Sequence, residues 1–105
     1  MLGFLRRIFV NDFGSPPPPD VEHLPSFTGQ RIVETIYSTS KSRRAIITID
    51  DTGDYRIHSQ WWDISDWKEW GKAFWCGHNT GSHTDNLERA RELAREVIGG
   101  LPDEA

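Results

Sequence analysis

The sequence predicts a small α+β domain: a three- to four-stranded antiparallel meander with a C-terminal amphipathic helix packed on one face. Three observations carry this. Residues 30–61 hold three stretches rich in β-branched and aromatic residues, separated by short polar turns. Residues 85–98 place apolar side chains at helical spacing and run into Gly99-Gly100. The chain has 105 residues, one cysteine and no apolar run near the ~20 residues that cross a bilayer, which leaves one modest core, no internal disulfide and no membrane span. Charged residues at 27% and apolar residues at 36% argue against global disorder.

Three regions are expected: a segment over 1–29, a single domain over 30–101 and a tail over 102–105. In the first ten residues Leu2, Leu5 and Phe9 would share a helix face, with Arg6 and Arg7 turned away. That pattern suits a short segment docked on the domain, or weak peripheral contact of residues 1–10 with a membrane surface or a partner. The arginines interrupt the apolar run and Asn11-Asp12 follows, which argues against a secretory signal and for a cytoplasmic protein. Ser15-Pro16-Pro17-Pro18-Pro19 reads as a stiff polyproline II spacer, because proline fixes φ and lacks the backbone donor. Its alternative is a ligand for a proline-reading domain.

The first strand is expected over 30–39 and Ser40-Lys41-Ser42 turns the chain. In the second, over 43–50, Ala45, Ile47 and Ile49 share one face, and Arg44, Ile46 and Thr48 the other. Asp50-Asp51-Thr52-Gly53-Asp54 supplies a hairpin, with Gly53 suited to positive φ and the aspartates to capping turn amides. The third strand, 55–61, sets Tyr55, Ile57, Ser59 and Trp61 against Arg56, His58 and Gln60. Residues 63–71 predict a turn or two of helix capped by Asp63, and 72–77 a fourth strand. His78 to His83 is then expected as a polar loop. The final helix opens with Asp85 and Glu88 in a capping-box arrangement. Leu87, Ala90, Ala94, Val97 and Ile98 form its apolar stripe beside Leu93, and Glu88–Arg91 and Glu92–Arg95 are its expected ion pairs. One helix covers one sheet face; the other face is left to the N-terminal segment, a partner or solvent.

Over the second and third strands and the helix start, the chain resembles the HicB antitoxin pattern. There a hairpin and third strand lead into a helix opening on a threonine–leucine–glutamate–alanine run; Thr84-Asp85-Asn86-Leu87-Glu88-Arg89-Ala90 is the counterpart here, and the tryptophan-rich segment has none. The sheet-then-helix order is also similar to that of double-stranded-RNA-binding domains, whose helix start is basic where this one is acidic.

Function rests on two constellations. Trp61, Trp62, Trp67, Trp70 and Trp75 lie within fifteen residues. Large rings fill cores, but tryptophan is also enriched at binding hot spots. Neighbouring Trp61 and Trp62 on a strand must point to opposite faces. Trp62, Trp67 and Trp70, with His58, are therefore the candidate binding residues for a protein partner or a second copy of the chain. The second constellation is Cys76, His78, His83 and Asp85, zinc-ligand types within ten residues, with His58 as a distal ligand. It supports the rival reading of a zinc-binding protein or hydrolase, although only one ligand cluster is present. A third reading, an antitoxin- or inhibitor-like protein, is allowed by small size and acidity. Gly77 and Gly81 before a helix suggest an anion-cradling loop, but the Walker lysine is missing and Asp85 would repel an anion. Asp63, Asp66 and Glu69 read as a solvated acidic face. The net charge is −4, and no Lys/Arg cluster is dense enough to track a phosphate backbone, so duplex nucleic acid is not an expected partner. No catalytic residue and no cofactor are assigned.

Overall fold

The computed structural model describes residues 13–99. The expected segment over residues 1–10 and the tail over 102–105 lie outside the described residues. The elements are β1 (Gln30–Tyr37), β2 (Arg43–Asp50), β3 (Tyr55–Asp63), α1 (Trp67–Trp70), β4 (Phe74–Thr84) and α2 (Leu87–Gly99). The four strands form one antiparallel sheet in the order β1-β2-β3-β4, the expected meander with the C-terminal helix against it. Among the described residues no helix is long and apolar enough to cross a membrane.

The β2–β3 hairpin closes as its sequence dictates. The Asp50 carboxylate accepts from the amides of Thr52 and Asp54 and from the Thr52 hydroxyl, and Gly53 takes a φ of 86°. These bonds favour the ionised carboxylate and pull its pKa down to about 2, the Thr52 hydroxyl contributing most. Alternation then sorts the side chains. Ala45, Ile47 and Ile57 face α2 and bury completely against Ala90 and Ala94, with Ile98 closing the far end. Each fully buried isoleucine adds roughly 1.5–3 kcal/mol. The two alanines let the helix lie close to the sheet.

The opposite face is half polar. Arg44, Ile46, Thr48 and His58 are all buried there, beneath the chain from residues 13 to 29. Of the three covers the sequence left open for this face, the N-terminal segment takes it. The Arg44 guanidinium donates to the Gln60 side chain at 2.7 Å, to the His23 carbonyl and to the Tyr37 hydroxyl. Phe27 stacks on the His58 ring at 4.0 Å.

Four local expectations are corrected. The polar stretch 78–83 is part of β4, because β3 offers pairing partners along its whole length. Between Arg56↔His83 and His58↔Asn79 four residues of β4 advance against two of β3, and polar side chains satisfy the excess. Thr80 donates to the Ile57 carbonyl, and Asn79 accepts from the Gly81 amide, where φ is 80°. At the start of α2 the capping residue is Asn86, whose side-chain oxygen accepts from the Arg89 amide at 3.1 Å. Asp85 lies one residue too early. Along α2 the Glu88–Arg91 pair forms, Arg89 takes Glu92, and Arg91 also reaches Glu34 on β1. At α1, Asp63 holds the Ser65 amide and hydroxyl, and the cap position is Asp66.

Candidate functional site

The end of β3, the start of β4 and α1 bring Trp62, Trp67 and Trp75 to one corner of the sheet's half-polar side and its rim. Trp62 and Trp75 are cross-strand partners, their rings meeting edge-to-face at 5.3 Å. The Arg44 guanidinium lies 4.0 Å from the Trp75 ring centre, a cation–π contact in a partly desolvated setting. Gly71 ends α1 at a φ of 65°, and the Phe13 ring fills the space where a Cβ would stand. Phe13 in turn packs on Trp67, with ring centres 5.9 Å apart.

The indole N–H groups of this corner share a single task. Trp67 Nε1 donates to the Gly14 carbonyl at 2.9 Å, Trp62 Nε1 to that of Pro17 at 3.2 Å, and Trp75 Nε1 to that of Asp20 at 2.8 Å. Pro17 and Asp20 stand three residues apart, which is the repeat of a polyproline II helix, while Gly14, at a φ of 65°, turns the chain into Trp67 ahead of it. The proline tract, expected as a spacer, therefore lies in a groove edged by indoles. Beyond it the Val21 carbonyl accepts from the Tyr37 hydroxyl, and Asp20 takes the Glu22 and His23 amides. Those bonds, the Glu22 amide first, lower the Asp20 pKa.

The expected binding residues thus separate. Trp62 and Trp67 hold the tract. Trp70 is 66% exposed and open to a partner, and Trp61 points to the helix side of the sheet, 37% exposed. His58 is 6% exposed, roofed by Phe27, with its Nε2 3.1 Å from both the Thr48 hydroxyl and the Gln30 side chain. Burial, and secondarily the charge of Arg56, push its pKa below 6.5, so the ring is a neutral element of the packing. Sequence reasoning missed Trp75 and Arg44 as parts of the site. A proline tract and a cluster of tryptophans in one chain are complementary chemistries, and that is the signal which would have joined them.

The metal candidates diverge. Cys76 is opposite Trp61, and His83 is opposite Arg56, five residues along β3 and so roughly 16 Å away. The Cys76 thiol donates to Asp63, and burial followed by the Asp63 contact raises its pKa, which keeps it protonated and a poor ligand or nucleophile. His83 pairs with Asp54 at 3.1 Å, and Asp85 is exposed. Among the described residues no group of three His, Cys, Asp or Glu side chains is gathered for a metal ion. Comparison of the chain with protein-family models, with curated proteins and with solved structures finds no match.

Proposed function

We propose that the chain is a non-enzymatic, cytoplasmic protein-interaction module that docks a protein partner, in its simplest form a second copy of itself, through the segment from Trp61 to Trp75. One observation carries the reading. Within fourteen residues Trp61, Ile64, Trp70 and Phe74 leave 37%, 45%, 66% and 40% of their surface in solvent. Trp61 and Phe74 are diagonal neighbours on one sheet face, since Trp61 pairs with Cys76 and Asp63 with Phe74. A small domain rarely leaves so much apolar and aromatic surface exposed along one short segment without a use for it. Trp62 and Trp67 contribute through the tract they hold.

Sedimentation velocity of the full chain and of Trp70→Ala tests this. An anchor of this kind supplies ~2 kcal/mol or more, so the variant's dimer is expected to dissociate about thirtyfold more readily. Its circular dichroism and melting temperature stay unchanged, because the ring makes little of the core. A parent chain that remains monomeric at ~100 µM, far above the micromolar range of an ordinary weak dimer, refutes the self-association form.

A further inference from the structure

The proline tract accepts its hydrogen bonds from the indoles through its main chain, and this shows what the groove reads. The groups offered by Trp62, Trp67, Trp75 and Arg44 are donors only: indole N–H and guanidinium N–H have no acceptor atom. A proline residue is the reverse, a carbonyl without an N–H. Prolines also arrive preset in the extended threefold helix, so carbonyls three residues apart fall on one edge. Pro17 and Asp20 occupy that edge, Gly14 meets Trp67 just before it at a φ of 65°, and no side chain of the three accepts an indole bond. Prolines add no amide donor to a surface that presents donors. The donors themselves stand on ordered elements, Trp62 on β3, Trp75 on β4 and Trp67 on α1. Residues 13–18 remain exposed while they sit there, and the chain is anchored again below them, with His23 on Arg44 and Phe27 on His58. These two contacts do not involve residues 14–20, so release of the tract need not break them.

We infer that the groove formed by Trp62, Trp67 and Trp75 is a binding site for polyproline II segments, that its ligand is a proline-rich stretch of another protein, and that the chain's own residues 14–20 fill it as an internal competitor. The inference stands apart from the Trp70 patch and does not need it.

The test uses the full chain and a full-length variant carrying Pro16→Gly, Pro17→Ser, Pro18→Gly and Pro19→Ser. Each is titrated with an acetylated, amidated proline decamer while the five indole N–H resonances are followed by NMR. A tethered competitor acts at an effective concentration of order millimolar, so unlocking it is expected to tighten peptide binding about tenfold or more. The shifts should fall on Trp62, Trp67 and Trp75 and spare Trp70. Adding Trp62→Phe and Trp75→Phe to the variant should abolish binding with the strand amide resonances unmoved. A folded variant whose three indoles ignore the peptide at millimolar concentration overturns the inference. If the variant does not fold, the parent chain decides: no response of its indoles to millimolar peptide also overturns it. If variant and parent instead form mixed dimers in which the parent's tract shifts the variant's indoles, the ligand is a second copy and the assignment to another protein falls. Trp70→Ala must leave the titration unchanged, which separates this outcome from the fate of the self-association reading.

Discussion

Replacing Trp75 by phenylalanine isolates what the groove contributes to stability. The substitution deletes the N–H that donates to the Asp20 carbonyl at 2.8 Å, a net loss of about 1 kcal/mol for a partly buried neutral bond. It also places Arg44 over a weaker π-face; the present contact at 4.0 Å belongs to a class worth ~0.5–2 kcal/mol, of which roughly half is forfeited. The Asp20 carbonyl can turn to water, so no orphaned-acceptor penalty is added. The sum is about 1.3–2 kcal/mol, or a fall of roughly 10 °C in melting temperature for a domain of this size. Urea unfolding of the parent and the variant measures the first figure. Hydrogen exchange of the remaining indoles measures something more specific: because Trp62 and Trp67 hold the same tract, their N–H groups should exchange about tenfold faster once Trp75 lets go. Trp70→Phe serves as the control and should stay within ~0.5 kcal/mol. If Trp75→Phe is equally silent and leaves the Trp62 exchange rate untouched, the tract is not held cooperatively and the groove argument fails.

Other consequences follow from the buried polar layer and the close approaches. His58 sits below its ordinary pKa of 6.5 in the fold, so the unfolded chain binds a proton there that the folded chain resists. Stability from this group is complete above pH 6.5 and declines as pH falls below it, by at most ~1.4 kcal/mol per pH unit; His58→Gln should flatten that slope in urea titrations, and an unchanged slope would exclude His58 as its source. A Cβ at Gly77 would stand 2.2 Å from the Ser59 carbonyl oxygen, so Gly77→Ala should cost about 3 kcal/mol or more, and a variant as stable as the parent would contradict the β3–β4 register. The Thr35 hydroxyl is buried with no partner among the described residues, and Thr35→Val should raise the urea midpoint by the equivalent of about 1 kcal/mol; a loss instead would reveal a partner for that oxygen.

The sheet and α2 were legible because their signals are local and periodic. The β2 sequence alternates Arg44, Ile46 and Thr48 against Ala45, Ile47 and Ile49, and both sets land on the faces that alternation assigns. Trp61 and Trp62 diverge for the same reason. The far half of β4 was illegible because His78 to His83 carries turn chemistry in its sequence; a neighbouring strand with open hydrogen-bonding groups overrode it, and the glycine and polar residues went into a bulge. Asp85 and Asn86 are both good caps by residue type, and Asn86 takes the role, its side chain on the Arg89 amide and its own amide on the Thr84 hydroxyl. The site failed to show for a different reason. The donors at 62, 67 and 75 and the acceptors at 14, 17 and 20 lie 45 to 55 residues apart, a separation that leaves no mark in either segment's own pattern.

The two faces of β2 and β3 explain why a proline tract rather than a second helix covers the far side. On the α2 side the sheet presents Ala45, Ile47 and Ile57, and an apolar helical stripe satisfies them because nothing there needs a hydrogen bond. On the other side the same strands present Arg44, Thr48, His58, Gln60 and Trp62, and a helix laid across them would bring a surface whose main-chain carbonyls are already committed to its own turns. A polyproline II segment makes no internal hydrogen bonds, so all its carbonyls are available. Arg44 takes one from His23, and Tyr37 takes one from Val21. The three indoles take theirs at Gly14, Pro17 and Asp20, while Phe27 closes over His58 where no donor remains to be met. The burial of an arginine whose nearest partners are neutral, otherwise an expensive arrangement, becomes tolerable on this account, since the strap supplies acceptor oxygen and the Trp75 ring supplies the negative face. The tryptophans and the prolines are then two halves of one device, and a change that weakens either half should show itself at the other.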